Sequence, residues 1–229
     1  MNYRDRFVKF LLNAGALTFG DFTLKSGRKS PYMINMGLVN TGDSLSQLGF
    51  FYAHTIIEKM ESGVIPQETS ILFGSAYKGI PVAAAASIAM AVEFERSMGY
   101  TFNRKEAKDH GEGGVFVGKK PGAGDRILIV DDVMTAGTAL RDTIDLLNLH
   151  APEAKVVGSI IAVDRKERGR DERFSAVAEA QNELGIPVFS IIDIDEIVAT
   201  LKADALAGEV ENGQIAAIEE YLEIYRPTQ

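Results

Sequence analysis

The chain has 229 residues, with 24 Lys and Arg against 32 Asp and Glu, a formal net charge of −8, three His and no Cys. That length suits one domain of generous size, and 46% hydrophobic with 24% charged residues is ordinary for a globular protein with a real core. The absence of Cys excludes disulfides, thiolate metal sites and a Cys nucleophile, and the acidic balance argues against a face that wraps nucleic acid.

Phe7, Phe10, Leu11 and Ala14 recur at helical spacing, which predicts a helix over 3–14 stopped by Gly15. Charges interrupt any signal-like apolar run at this end, so the expected location is the cytoplasm. Residues 21–24 and 32–35 read as two short strands joined by the turn Ser26-Gly27-Arg28-Lys29-Ser30. A helix follows over 44–61, with Leu48, Phe51, Ile56 and Met60 available to a core. Residues 70–74 read as a buried strand, and an Ala-rich helix starts near Gly79. Its uncharged stretch, 79–92, falls short of the roughly 20 apolar residues that a bilayer span needs, so no membrane partner is expected.

Residues 100–103 read as a strand, and the polar, glycine-ended segment 104–114 as a loop. A strongly apolar strand over 126–130 precedes a helix over 138–149. Strands over 155–163 and 188–192 flank a helix over 172–184, and helices over 194–205 and 214–221 close the chain. From residue 70 onward strand and helix alternate. The expected fold is α/β: one domain over 1–229 with a central, mostly parallel sheet flanked by helices, to which residues 1–40 add a small subdomain outside the alternation.

The most informative stretch is Ile127-Leu128-Ile129-Val130-Asp131-Asp132-Val133-Met134-Thr135-Ala136-Gly137-Thr138-Ala139. An apolar strand ends in two carboxylates, and a turn of small residues opens a helix. In open α/β sheets ligands bind at the carboxyl ends of strands, and backbone N–H groups at a helix N-terminus hold anions. Gly137 lets the backbone approach a phosphate, while Thr135 and Thr138 can add hydroxyl donors. Asp131 and Asp132 would repel that phosphate and suit sugar hydroxyls or a hydrated Mg2+ instead. On residue types alone the same stretch reads equally as a βα turn with a Thr cap and two solvated acids.

This stretch resembles the phosphoribosyl-pyrophosphate (PRPP) motif of type I phosphoribosyltransferases. Four other segments resemble orotate phosphoribosyltransferases in particular: the N-terminal signature from Phe22 to Tyr32, the pyrophosphate loop Gly74-Ser75-Ala76-Tyr77-Lys78-Gly79, the mobile loop from Phe102 to Gly111, and Asp164-Arg165-Lys166-Glu167-Arg168-Gly169. The resemblance covers nearly the whole chain in the expected order. It implies the type I phosphoribosyltransferase fold, with residues 1–40 contributing a hood over the active site. It implies PRPP contacts from Lys25, Tyr77, Lys78, Asp131, Asp132, Val133 and Met134, and from the phosphate loop of Thr135, Ala136, Gly137, Thr138 and Ala139.

It further implies a cis peptide in the pyrophosphate loop, and a lid whose Arg104, Lys105, Lys108 and His110 reach the leaving pyrophosphate and serve catalysis with Asp132. Orotate contacts would come from Lys25, Met33, Ile34, Thr135 and Arg165, although Met33 and Ile34 stand where many relatives carry aromatic residues. The cofactor implied is Mg2+, held mainly by PRPP and water near Asp131 and Asp132. The assembly implied is a homodimer whose 104–114 loop reaches the neighbouring active site. Read without the resemblance, the basic clusters at 25–29 and 104–110 are also what a solvated turn and a charged loop look like, and Arg165 fits a salt bridge with Asp164 or Glu167. The competing readings are transfer to a purine or uracil, and a PRPP sensor without catalysis.

Overall fold

In a computed structural model of the protein, residues 2–24, 27–108, 114–134, 137–203, 208 and 210–228 are described, with backbone alone for 105–108. The chain runs α1 (Tyr3–Asn13), β1 (Leu17–Thr23), β2 (Lys29–Ile34), α2 (Gly42–Glu61), β3 (Ile71–Gly74), α3 (Gly79–Phe94), β4 (Gly99–Lys108), β5 (Gly114–Gly118), β6 (Arg126–Val130), α4 (Thr138–His150), β7 (Lys155–Asp164), α5 (Ala176–Leu184), β8 (Val188–Asp193), α6 (Ile194–Lys202) and α7 (Asn212–Tyr225). Strands β3 to β8 form one six-stranded sheet in the order β5-β4-β3-β6-β7-β8. All neighbours are parallel except the edge pair β4–β5.

The central strands are unbroken apolar runs because both of their faces are covered. Leu72, Leu128 and Val130 enter a core shared with Phe7 of α1, Phe51 of α2, Ala83 of α3, Ile197 of α6 and Ile218 of α7. The alternate residues Ile71, Phe73, Ile127 and Ile129 pack on the opposite side against Leu140 and Leu147 of α4 and Ala180 of α5. Strands β1 and β2 pair antiparallel as a separate hairpin, yet Leu17, Tyr32 and Ile34 belong to the first of these cores.

After β3 the chain adds β4 on one side, then crosses back to place β6 on the other. The strand order therefore reverses between β3 and β6, and a crevice opens at their carboxyl ends. The backbones there touch. A Cβ on Gly74 would lie 2.2 Å from the Gly79 carbonyl oxygen, and one on Gly79 would lie 2.6 Å from that of Val130. Only glycine permits this contact between the end of β3, the start of α3 and the end of β6.

Several expected boundaries move. The first part of the 104–114 segment is strand rather than loop, since β4 continues to Lys108 and pairs with the unanticipated β5. An edge hairpin needs no apolar alternation, which is why its polar sequence reads as loop. Helix α5 starts at Ala176, not at 172, because the Ser175 side chain caps it by accepting from the Ala178 N–H. Helix α6 stops at Lys202, and α7 extends on both sides of 214–221.

Gly74→Ala is expected to cost about 1–3 kcal/mol of folding stability, as overpacking does. Urea denaturation of the variant beside the parent chain measures it, and an unshifted midpoint would show that the backbone contact is dispensable.

Candidate active site

Asp131 and Asp132 stand where β6 leaves the sheet, on backbone that is still paired. The Asp131 N–H donates to the Ile160 carbonyl at 3.1 Å, the Ala162 N–H donates to the Asp132 carbonyl at 2.7 Å, and Val133 bridges Val163. From α2, the Tyr52 hydroxyl donates to the Asp131 carbonyl at 2.6 Å. Asp132 is buried; its Oδ1 accepts from the Val133 N–H at 2.8 Å and its Oδ2 from Lys78 Nζ at 2.7 Å. Lys78 is the residue on which α3 begins, so this ion pair spans the crevice between the β3 and β6 loops. Lys78 itself is well exposed, so the pair orients more than it stabilises.

Burial pushes the Asp131 carboxyl up to about 6, with the Asp132 charge adding to the rise and the Asp132 N–H, donating to Oδ1 at 2.9 Å, opposing it. A ribose hydroxyl or a cation beside it would favour its ionised form.

The pyrophosphate-type loop follows β3. The Ala76–Tyr77 peptide is cis, as the resemblance implies, and Tyr77 is exposed. Ser75 is buried with its Oγ 3.0 Å from Thr143 Oγ1 of α4, and the Ala76 N–H donates to Asn103 Oδ1 of β4 at 3.4 Å. Gly137 has φ +68°, a conformation that favours glycine, and caps α4 without a side-chain hydrogen bond or an acid in the first turn. A helix end of this kind suits an anion. Beside them lies a cavity of about 370 Å³ lined by Asp131, Val133, Met134, Gly137, Thr138 and Ala139, among others.

Arg165 follows β7, the next strand of the sheet. Its Nε donates to Glu167 Oε1 at 2.7 Å and its Nη2 to Ser30 Oγ at 3.2 Å, so it ties the β1–β2 hairpin to the carboxyl end of the sheet. Its ion pair is with Glu167; the hydrogen bond to Asp164 is made instead by the Lys166 N–H, at 2.8 Å. On β2, Met33 is half-buried and Ile34 turns its side chain into the core.

The structure thus brings together Tyr77, Lys78, Asp131, Asp132, Val133, Met134, Gly137, Thr138 and Ala139 at one crevice, with Arg165 at its flank. Lys25, His110, Thr135 and Ala136 lie outside the described residues, as do the side chains of Lys105 and Lys108. Arg104 sits half-buried on β4. His54 packs among Tyr3, Phe50 and Phe94, and the His150 ring lies 6.3 Å from that of Phe116, in keeping with structural roles for both. Tyr52 and Thr143 were not singled out by sequence, whereas Glu167 was named there as a salt-bridge partner of Arg165.

The parallel sheet and its acid-bearing crevice are those of a phosphoribosyltransferase domain, and the family model described as phosphoribosyl transferase domain matches residues 47–191. The chain is 49% identical over 192 residues to the orotate phosphoribosyltransferase of Bifidobacterium adolescentis, covering 84% of this chain and 83% of that one. It is 49% identical over 202 residues to that of Pseudomonas putida, covering 88% and 90%. The crystal structure of the Francisella tularensis orotate phosphoribosyltransferase superposes with a TM-score of 0.81 at 37% identity, covering 96% of this chain and 99% of that one. The chain belongs to the orotate phosphoribosyltransferase family, and its fold is the type I phosphoribosyltransferase fold.

Because the folded state binds the Asp131 proton more tightly than the unfolded chain does, the stabilisation is full below pH 3.8 and is lost as pH rises through about 6. Between about pH 4 and pH 7 the unliganded protein should lose roughly 2 kcal/mol relative to Asp131→Asn. Urea midpoints of both proteins across that range check this, and a constant gap would refute it.

Proposed function

We propose that this chain transfers the ribose 5-phosphate group of PRPP to orotate, forming orotidine 5′-monophosphate and pyrophosphate in pyrimidine (UMP) biosynthesis. The observation that carries the reading is the Lys78–Asp132 ion pair, which joins a pyrophosphate-type loop to the ribose-type acids across the crevice. A nitrogen of orotate forms the bond to C1 of the ribose as the bond from C1 to the pyrophosphate oxygen breaks. Positive charge develops on the sugar and negative charge on the leaving group, so positioning and charge stabilisation are the main tasks.

The α4 N-terminus with Gly137, Thr138 and Ala139 would hold the 5-phosphate, joined by Thr135 and Ala136. Asp131 and Asp132 would hold the ribose hydroxyls. Lys78 and the backbone at Tyr77 would receive pyrophosphate, with Lys25, Arg104, Lys105, Lys108 and His110 closing over it. Closure of such a lid excludes water, which otherwise hydrolyses an activated sugar. Arg165 offers a guanidinium to the planar, carboxylated base, a better match to orotate than to a purine or uracil. Since the Ile34 side chain is in the core, its backbone would be the part that faces the base, beneath the hood formed by residues 1–40.

The donor set fits Mg2+ bound largely by substrate oxygens and water. Among the described residues no cluster of three His, Cys, Asp or Glu could hold a metal, while Asp131 and Asp132 offer two carboxylates at the crevice, the first pushed up to about 6 by burial. When bound, the cation would neutralise charge on the pyrophosphate. We assign the reaction to the cytoplasm, because both substrates are charged and do not cross membranes unaided.

The homodimer is proposed on the outer face of α3. Ile88 and Val92 are exposed there, and with Leu45 and Phe50 of α2 they line an apolar groove of about 620 Å³ between α2 and α3, the latter being the helix that starts at the pyrophosphate-type loop. In such a dimer, the resemblance implies, the 104–114 loop of one copy reaches the active site of the other. Ile88→Glu with Val92→Glu should shift the sedimentation coefficient from dimer to monomer and lower turnover; a dimer that persists unchanged would move the interface elsewhere.

The central test is loss of orotate absorbance with PRPP and Mg2+, run beside uracil and hypoxanthine. Consumption of orotate alone is expected, with turnover falling at least about tenfold in Lys108→Ala if that residue serves the leaving group. PRPP binding without orotate consumption would point to another base or to a PRPP sensor.

A further inference from the structure

The residues around Arg165 show more organisation than a single base-binding arginine requires. Glu167 Oε1 accepts from Arg165 Nε at 2.7 Å and lies 2.6 Å from its Nη2, while its Oε2 accepts from Arg28 Nη1 at 3.3 Å. The Tyr32 hydroxyl also donates to Glu167 Oε1, at 3.3 Å. The Arg165 guanidinium lies over the Tyr32 ring, 4.2 Å from its centroid. Both partners are nearly closed off from solvent, Arg165 at 13% and Glu167 at 11% side-chain exposure.

The segment that carries the pair is tied down on two sides. Lys166 adopts φ +49°, rare for a residue with a side chain, and its Nζ reaches Asp193 at 2.7 Å and Asp195 at 3.0 Å. Arg168 donates its N–H to the Tyr225 carbonyl at 2.9 Å and its Nη2 to that of Ile224 at 2.6 Å, both at the end of α7. Helix α7 also supplies Tyr221, whose ring meets Tyr32 edge-on at 5.9 Å and whose buried hydroxyl faces the Arg165–Glu167 pair.

Two guanidinium charges face one buried carboxylate, so one positive charge remains for an anionic ligand. With one edge held by Glu167 and one face by Tyr32, the Arg165 side chain is ordered before any ligand arrives. Ordering a long, flexible side chain in advance removes that cost from binding. We infer that Glu167 is a positioning residue for orotate recognition, acting through Arg165, and that α7 is part of the base site through Tyr221. This rests on the reading of the chain as an orotate phosphoribosyltransferase.

The test is steady-state kinetics on the full chain, with orotate and PRPP varied separately. Glu167→Ala should raise KM for orotate about tenfold, the loss of roughly one charge-assisted hydrogen bond, and leave KM for PRPP within about twofold. Glu167→Gln, which keeps an oxygen acceptor for Arg165, should recover most of the loss. Should Glu167→Ala fail to fold, Tyr221→Leu carries the test, with the same selective rise in KM for orotate. An unchanged KM for orotate, or equal rises for both substrates that Glu167→Gln does not rescue, would overturn the inference. Failure of the parent reading is separately visible as a wild-type protein that consumes no orotate.

Discussion

The close approach of three backbones at the β3–β6 switch governs most of what the structure can do. Gly74, Gly79 and the Val130 carbonyl meet where any Cβ would intrude. That contact sets the start of α3 against the end of β6, and so sets Lys78 against Asp132. The parallel sheet supplies rigidity, because its central strands are covered on both faces. Loops anchored on such strands hold their groups without further ordering, which is the condition for positioning catalysis.

Electrostatics divide the crevice by ligand part. The α4 N-terminus has no acid in its first turn and suits a phosphate. The Asp131–Asp132 pair repels one and suits hydroxyls or a cation. Burial pushes the Asp131 carboxyl up to about 6, so its charge is held less firmly than that of a solvated carboxylate. At the flank, Arg28 and Arg165 leave a net positive charge around Glu167. The three regions thus match the phosphate, sugar and carboxylated base of the proposed reaction.

The C-terminal helix gains a role from this arrangement. It packs on the β1–β2 hairpin through Tyr221 and Tyr32 and receives Arg168 at its carboxyl end. Hairpin, base-side segment and last helix therefore form one unit. No helix among the described residues is long and apolar enough to cross a membrane, and the exposed apolar residues of α3 are the face on which the homodimer is proposed.

By itself the sequence determined the α/β alternation, the β6 strand to the residue, and the linear motifs. These are local: strand and helix periods, glycine turns and a run of acids followed by small residues are written in consecutive positions. Tertiary structure decided what consecutive positions cannot encode. The strand order that opens the crevice depends on which faces of distant strands pack together. The β4–β5 hairpin read as loop because an edge needs no apolar period. Tyr52 and Tyr221 lie far in sequence from the groups they serve, and only the packing of α2 and α7 against the sheet and hairpin brings a buried hydroxyl to a carbonyl or to an ion pair.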